Sequence, residues 1–183
     1  MVSMGFIKSL IILNKKLTMI YYTDFYIPSL KKTFLIAKNE KGVCNLSFNN
    51  KEIPFINSLK YYLDDEVIKS RSKLKNEVHQ IQEYYAGKRK EFNMKVFLKG
   101  TGFQTKAWTA LSKVKYGETI SYSELAEKAG NKKAVRAAAS SCAKNPVAVI
   151  IPCHRVIAKD GSLGGFGGGI ELKKKMLRLE KAI

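Results

Sequence analysis

The sequence predicts an α+β protein: a small N-terminal β-sheet with a helix, then a mainly helical C-terminal half built around a helix-turn-helix. Three observations carry that expectation. Short β-branched and aromatic runs, separated by turn residues, fill the N-terminal stretch. A helical repeat of apolar residues follows them. Further on, a Ser-x-x-Glu signature opens one short helix, and a Gly-Asn pair separates it from a second.

In chain order, Ile20-Tyr21-Tyr22, Phe34-Leu35-Ile36 and residues 43–48 read as strands, with Asn39 and Gly42 marking a turn. Leu74, Val78, Ile81 and Tyr85 recur at i, i+4, i+7 and i+11, one apolar helix face, and Gly87 ends that helix. The charged residues 88–91 follow, and a domain boundary is expected near Asn93. This gives a scaffold domain over 19–93 and a second domain over 94–183. Residues 1–18 read as an extension ahead of Met19, where the strand pattern starts. In the second domain a helix is expected over 104–114, with Phe103, Ala107, Trp108, Leu111 and Val114 on one face. Tyr116-Gly117-Glu118 is a turn. Ser121 and Glu124 form a capping box for a helix that stops at Gly130. Asn131 is expected to cap the next helix, residues 132–143, which is basic through Lys132, Lys133, Arg136 and Lys144. Its body, Ala137 to Ser141, has small side chains that allow close approach to another surface. That surface could be the protein's own interior or a DNA groove.

The chain carries 33 Lys+Arg against 15 Asp+Glu, a formal net charge of +18. Residues 94–183 hold +11 of it and residues 1–93 hold +7. A polyanion is the expected partner, nucleic acid first and an anionic membrane surface second, unless the lysines serve solubility alone. No run approaches the ~20 apolar residues of a membrane span, and none reads as a signal peptide. Three cysteines without CxxC spacing argue against a disulfide framework or a tetrahedral zinc site. In residues 1–93 only Cys44 and His79 are metal-ligand types of that kind, so no metal is expected. The compartment is read as reducing, the cytoplasm, or the nucleus of a eukaryote. Residues 164–169 are glycine-rich but lack the Lys-Ser/Thr ending of a P-loop.

The chemistry concentrates where the apolar residues 147–152 deliver Cys153-His154-Arg155-Val156. A thiol becomes a nucleophile as a thiolate, and a neighbouring imidazole can take its proton. On extended backbone the two side chains would point apart. A helical turn after Pro152 would bring them closer or let water bridge them. Glu180, next to the apolar Met176, Leu177 and Leu179, is the carboxylate best suited by type to orient the imidazole. Cys44 and Cys142 have no such company.

Pro152-Cys153-His154-Arg155-Val156, preceded by Asn145-Pro146, closely resembles the active-site motif of the methylated-DNA–protein-cysteine methyltransferases, the O6-alkylguanine-DNA alkyltransferases. The resemblance spans roughly residues 85–181. It includes Gly100-Thr101, Phe103-Gln104, Trp108, Tyr116 to Thr119, Ser121-Tyr122, Gly130-Asn131, Val135-Arg136-Ala137, Gly164-Gly165 and Leu177 to Glu180. The N-terminal part matches in its strand-helix layout and its Tyr-Tyr-Ala-Gly-Lys stretch. The resemblance implies a ribonuclease H-like N-terminal domain. It also implies single-turnover transfer of an alkyl group from guanine O6, and from O4-alkylthymine, to Cys153, by a monomer without a cofactor.

The resemblance further implies roles for individual residues. His154 acts as general base through a water, Glu180 orients it, and Asn145 and Arg155 hold the turn. Arg136 fills the gap left by a base flipped out through the minor groove of duplex DNA. Ala137 and Ala138 allow the helix into that groove, with Lys132 and Lys133 beside it. Tyr122 displaces the 3′ phosphate and helps protonate the departing guanine. Cys153 and Val156 carbonyls accept from the base's amino group. Phe166 stacks on the base, and a Gly167 N–H donates to O6. Many members have Tyr-Ser at Phe166-Gly167, and some have Pro at Ala148, which lines the alkyl pocket, so this pocket departs from the family's shape. Two other classes fit fewer residues. One is a lesion-binding module that performs no transfer, which Cys153 argues against. The other is a transcription factor that reads the major groove, for which the Pro-Cys-His-Arg turn has no use.

Overall fold

A computed structural model describes residues 18–63 and 65–183, so the expected N-terminal extension lies, Thr18 apart, outside the described residues. The chain begins with β1 (Met19–Ile27) and turns through a 3-10 segment at Pro28–Leu30 into β2 (Lys32–Asn39). Asn39 Oδ1 accepts from Lys41 N at 2.9 Å in the next turn, which leads to β3 (Gly42–Ser47). Gly42 sits at φ +138, and a Cβ there would lie 2.5 Å from the Lys95 backbone. Helix α1 (Glu52–Leu63) then carries the chain to β4 (Glu66–Lys69), which pairs parallel with β1. The sheet order is β3-β2-β1-β4.

Both faces of this sheet are covered. Ile20, Tyr22, Leu35, Ala37 and Cys44 pack against Phe55 and Leu59 of α1. Phe25, Ile27, Phe34, Ile36, Val43 and Leu46 face the other way. That double burial explains why Phe34 to Ala37 reads as a continuous apolar run instead of an alternating one. Helix α2 (Lys75–Tyr85) covers the second face with Val78, Ile81 and Tyr85 of the expected stripe and with Tyr84 beside them, while Leu74 is buried in the 3-10 turn just before the helix.

The C-terminal half is helical, as expected, with four helices. Helix α3 (Gly102–Leu111) opens on a Thr101–Gln104 capping box and ends three residues before the expected Val114. Helix α4 (Tyr122–Lys128) has the expected Ser121–Glu124 box, Ser121 N donating to Glu124 Oε2 at 2.6 Å. Helix α5 (Val135–Ala143) starts three residues later than expected. Asn131 does not cap it. Its Oδ1 accepts from Lys133 N at 3.0 Å, so Lys132 and Lys133 sit in a tight turn that stands between the two helices. Helix α6 (Ile170–Leu179) closes the fold, and a two-stranded parallel pair, β5 (Ile120–Ser121) and β6 (Val156–Ile157), sits between α4 and the Cys153 turn.

One core runs through both halves, from Phe34 and Ile81 to Trp108, Ala138, Val147 and Met176. Trp108 Nε1 donates to Ser141 O at 2.9 Å, tying α3 to α5. Backbone bonds cross as well: Phe97 N donates to Val43 O at 2.8 Å and Leu46 N to Pro146 O at 2.8 Å. Among the described residues no helix is long and apolar enough to cross a membrane.

Candidate active site

The segment 147–152 is buried but forms turns, with Ile151 N donating to Val147 O at 3.0 Å. Val149 adopts φ +79, an uncommon conformation for a β-branched residue. Asn145 fixes this reversal from inside: its Oδ1 accepts from Val147 N at 3.1 Å and its Nδ2 donates to Ile151 O at 2.7 Å. Cys153, His154 and Arg155 then form one 3-10 turn, all three buried. Pro152 favours such a turn because its ring already fixes φ.

Glu180, at the end of α6, is the hub. His154 Nε2 lies 2.8 Å from its Oε1. Arg155 grips it with a fork, Nε to Oε2 at 2.8 Å and Nη2 to Oε1 at 3.0 Å, while Arg155 Nη1 donates to Val114 O at 2.5 Å. Tyr84 of α2 donates to Oε1 at 2.6 Å. Burial alone would push the Glu180 carboxyl up, but the bonds from His154, Arg155 and Tyr84 outweigh it and hold it at about 2. An ionised Glu180 must receive a proton donor, so His154 carries its hydrogen on Nε2. Nδ1 is then the free lone pair, and among the described residues it is buried with no protein partner. Burial, opposed by Glu180, lowers the imidazole's affinity for a second proton. The Cys153 thiol is pushed up to about 11 by burial, against the opposing pull of the Asn145 hydrogen bond and the Lys173 charge. It rests as a thiol beside a neutral imidazole.

Around this centre lie the other expected residues. Tyr122 opens α4, and Gly164 (φ +65) passes so close that a Cβ would sit 2.9 Å from the Tyr122 hydroxyl. Phe166 stands edge-on to His154 at 6.5 Å and packs on Phe48 at 5.2 Å. Gly167 is exposed, and Ala148 is buried. The Val156 carbonyl accepts from Lys173 Nζ at 2.5 Å, which leaves it one lone pair for another donor. Lys132, Lys133, Arg136 and Ala137 are exposed. Ala138 is not: it is fully buried in the core, so it offers no surface to a duplex, and its smallness serves packing of α5 against the domain.

Three participants were not anticipated from the residues. Tyr84 reaches the hub from the other half of the chain. Phe48 backs Phe166. Lys173 is a fully buried ammonium that donates to the carbonyls of Val156 and Leu163. Its signal was present: in the run Lys173 to Lys175, only Lys173 shares a helix face with Met176 and Leu177.

A helix-turn-helix set beside a buried thiol, an imidazole and its orienting carboxylate defines a cysteine-dependent transferase of the DNA-binding kind. Comparison with known proteins sharpens this. Residues 20–98 match the model of the 6-O-methylguanine DNA methyltransferase ribonuclease-like domain, and residues 102–182 match that family's DNA binding domain. A methylated-DNA–protein-cysteine methyltransferase of Methanosarcina acetivorans is 35% identical over 160 residues, covering 87% of this chain and 97% of the relative. The inducible enzyme of that name from Bacillus subtilis is 40% identical over 150 residues, covering 81% and 84%. The O6-methylguanine methyltransferase structure of Mycobacterium tuberculosis superposes with a TM-score of 0.74 at 33% identity, over 90% and 94% of the two chains. The same organism's protein solved in complex with DNA gives 0.75 at 32%, over 88% and 93%. The chain belongs to the 6-O-methylguanine DNA methyltransferase family.

Proposed function

We propose that the protein repairs alkylated DNA by moving the alkyl group of an O6-alkylguanine onto Cys153 Sγ, once per molecule. The observation that carries this is the Cys153 turn itself: a buried thiol followed by a neutral imidazole whose Nδ1 is free because Glu180 holds Nε2. A water between Sγ and Nδ1 lets His154 take the thiol proton as the thiolate attacks the alkyl carbon. The S–C bond forms, the C–O6 bond breaks, and the guanine leaves with its electron pair and is protonated with help from Tyr122. No cofactor enters, because the DNA is the alkyl donor.

A buried thiol meets a base only if the base leaves the stack. In this reading Arg136 and Ala137 on α5 enter the minor groove, Arg136 fills the gap, and Lys132 and Lys133 contact phosphates. The flipped base lies between Phe166 and the Val156 strand, with the Gly167 N–H on O6 and Ala148 toward the alkyl group. Asn145 and Arg155 hold the turn, residues 94–183 form the DNA-binding and acceptor domain, and residues 19–93 form the scaffold. The protein acts as a monomer in the cytoplasm, where its cysteines stay reduced, and O4-alkylthymine is a secondary substrate.

Incubation with an oligonucleotide carrying O6-methylguanine, followed by intact mass measurement, tests the reading. The expected product is heavier by one CH2, located on the peptide that contains Cys153. Cys153→Ser is expected to abolish transfer and keep lesion binding. Unchanged mass with retained binding would identify a lesion-binding module instead, and transfer by the Ser variant would exclude Cys153 as the acceptor.

A further inference from the structure

Among the described residues, the N-terminal half reaches the relay with a polar side chain at Tyr84, to which the family reading assigns no role. Tyr84 on α2 is fully buried. Its hydroxyl donates to Glu180 Oε1 at 2.6 Å and stands 3.4 Å from His154 Nε2. Oε1 is the oxygen that also faces His154 Nε2, at 2.8 Å. The neighbouring Tyr85 is equally sequestered, but its hydroxyl points to Met176 Sδ at 3.6 Å. Two adjacent phenols therefore sit in the same core, and one of them engages the proton relay.

We propose that Tyr84 is a positioning residue of the transfer reaction: its hydroxyl pins Glu180 Oε1 and limits how much of that oxygen's charge reaches His154. The inference rests on the relay reading above. The donors compete for one oxygen. Each donor that Oε1 accepts reduces the negative charge it offers to the others. Burial and the Glu180 charge keep the Tyr84 phenol protonated throughout the useful pH range, so it is always a donor. Without it, Glu180 would stabilise an imidazolium more strongly, and His154 would hold a second proton to higher pH. The base would then be switched off at a pH where it now works. The other groups facing the pair are the cations Arg155 and Lys173 and the phenols Tyr85 and Tyr116, all unchanged by removal of the Tyr84 hydroxyl.

Single-turnover transfer from an O6-methylguanine duplex, measured from acid to neutral pH, reads this directly. Tyr84→Phe is expected to slow transfer about threefold on the acid limb, the factor that a half-unit displacement gives, and to change it little well above that limb. It should also move the acid limb upward by about half a pH unit or more. Tyr85→Phe, which deletes a hydroxyl from the same core, should leave the limb where it is. A ring-fluorinated tyrosine at position 84 keeps the packing and strengthens the donor, so the limb should move downward. This last variant also serves if Tyr84→Phe fails to fold. A wild-type limb in both Tyr84 variants, or equal shifts in Tyr84→Phe and Tyr85→Phe, would overturn the proposal. Glu180→Gln separates it from the reading beneath: if that variant transfers with a wild-type profile, the relay itself is wrong. If Glu180→Gln is slow while Tyr84→Phe is normal, only the role of Tyr84 falls.

Discussion

Burial keeps Cys153 a thiol and lowers the proton affinity of His154, whereas hydrogen bonds overcome burial at Glu180, and together these effects predict how the fold responds to acid. Glu180 ionises at about 2 in the folded chain against an ordinary 4.5. A depressed carboxyl stabilises the fold above its ordinary value and loses that contribution as pH falls toward its folded value. The gap corresponds to about 3 kcal/mol. His154 works in the same direction. Its folded affinity for a proton lies below the ordinary 6.5, so below that pH the unfolded chain binds a proton that the folded chain refuses. Stability should therefore begin to decline just under pH 6.5 and fall more steeply under pH 4.5. Urea unfolding across this range would show it. Glu180→Gln should be less stable at neutral pH and flatter below 4.5. If its curve ran parallel to the wild type there, the acid sensitivity would have to come from other carboxylates.

At the scale of elements, helix α5 separates two roles that its small residues merge in the sequence. Arg136 and Ala137 face outward, whereas Ala138 is fully buried. Ala137→Leu is expected to weaken duplex binding in fluorescence anisotropy with little change in melting. Ala138→Leu should cost about 1 to 3 kcal/mol by overpacking the core and leave the DNA affinity of the folded fraction nearly intact. The reverse pattern would mean that the helix meets DNA with its other face. The same helix shows where sequence reading stops. The capping box at Ser121 was legible because its side chains bond within one turn. Asn131 offers the same local chemistry to a cap and to a tight turn, and it is held in the turn that closes α4, its N–H donating to Ala126 O at 3.0 Å. Helix α1 and strand β4 left little signal. Only Phe55 and Leu59 of α1 are buried, its Ile53, Tyr61 and Tyr62 face solvent, and β4 has four residues. At the site, Cys153, His154 and Arg155 are contiguous and were plain in the sequence. Glu180 stands out by residue type beside its apolar neighbours. Tyr84, 96 residues before Glu180, could not be found from spacing, because the contact exists only after the two halves pack.

Across the whole molecule, the halves matched by separate family models share the larger of two apolar clusters, and the smaller one lies between the sheet and α1. Phe34 packs on Phe48 at 5.3 Å and Phe48 on Phe166 at 5.2 Å, so aromatic contacts run from the N-terminal sheet to the loop beside His154. Tyr84 makes a second crossing at Glu180, and the 95–97 segment pairs with β3. Surface buried in this way is lost when either half unfolds, so unfolding should be a single cooperative transition. The chain supplies its own two reporters. Trp108, its one tryptophan, is buried in α3 of the C-terminal half. Cys44 is buried in β3 of the N-terminal sheet, its thiol pushed up to about 12 by burial and unreactive while the sheet is intact. Trp108 fluorescence and alkylation of the Cys44 peptide, followed along one urea series, should give the same midpoint and slope. If Cys44 became reactive at lower urea than Trp108 reported, the sheet would be opening alone. If the opening includes α2, Glu180 would lose the Tyr84 hydroxyl before the C-terminal half unfolded, and transfer activity in the same urea series should fall with the Cys44 signal instead of the Trp108 signal.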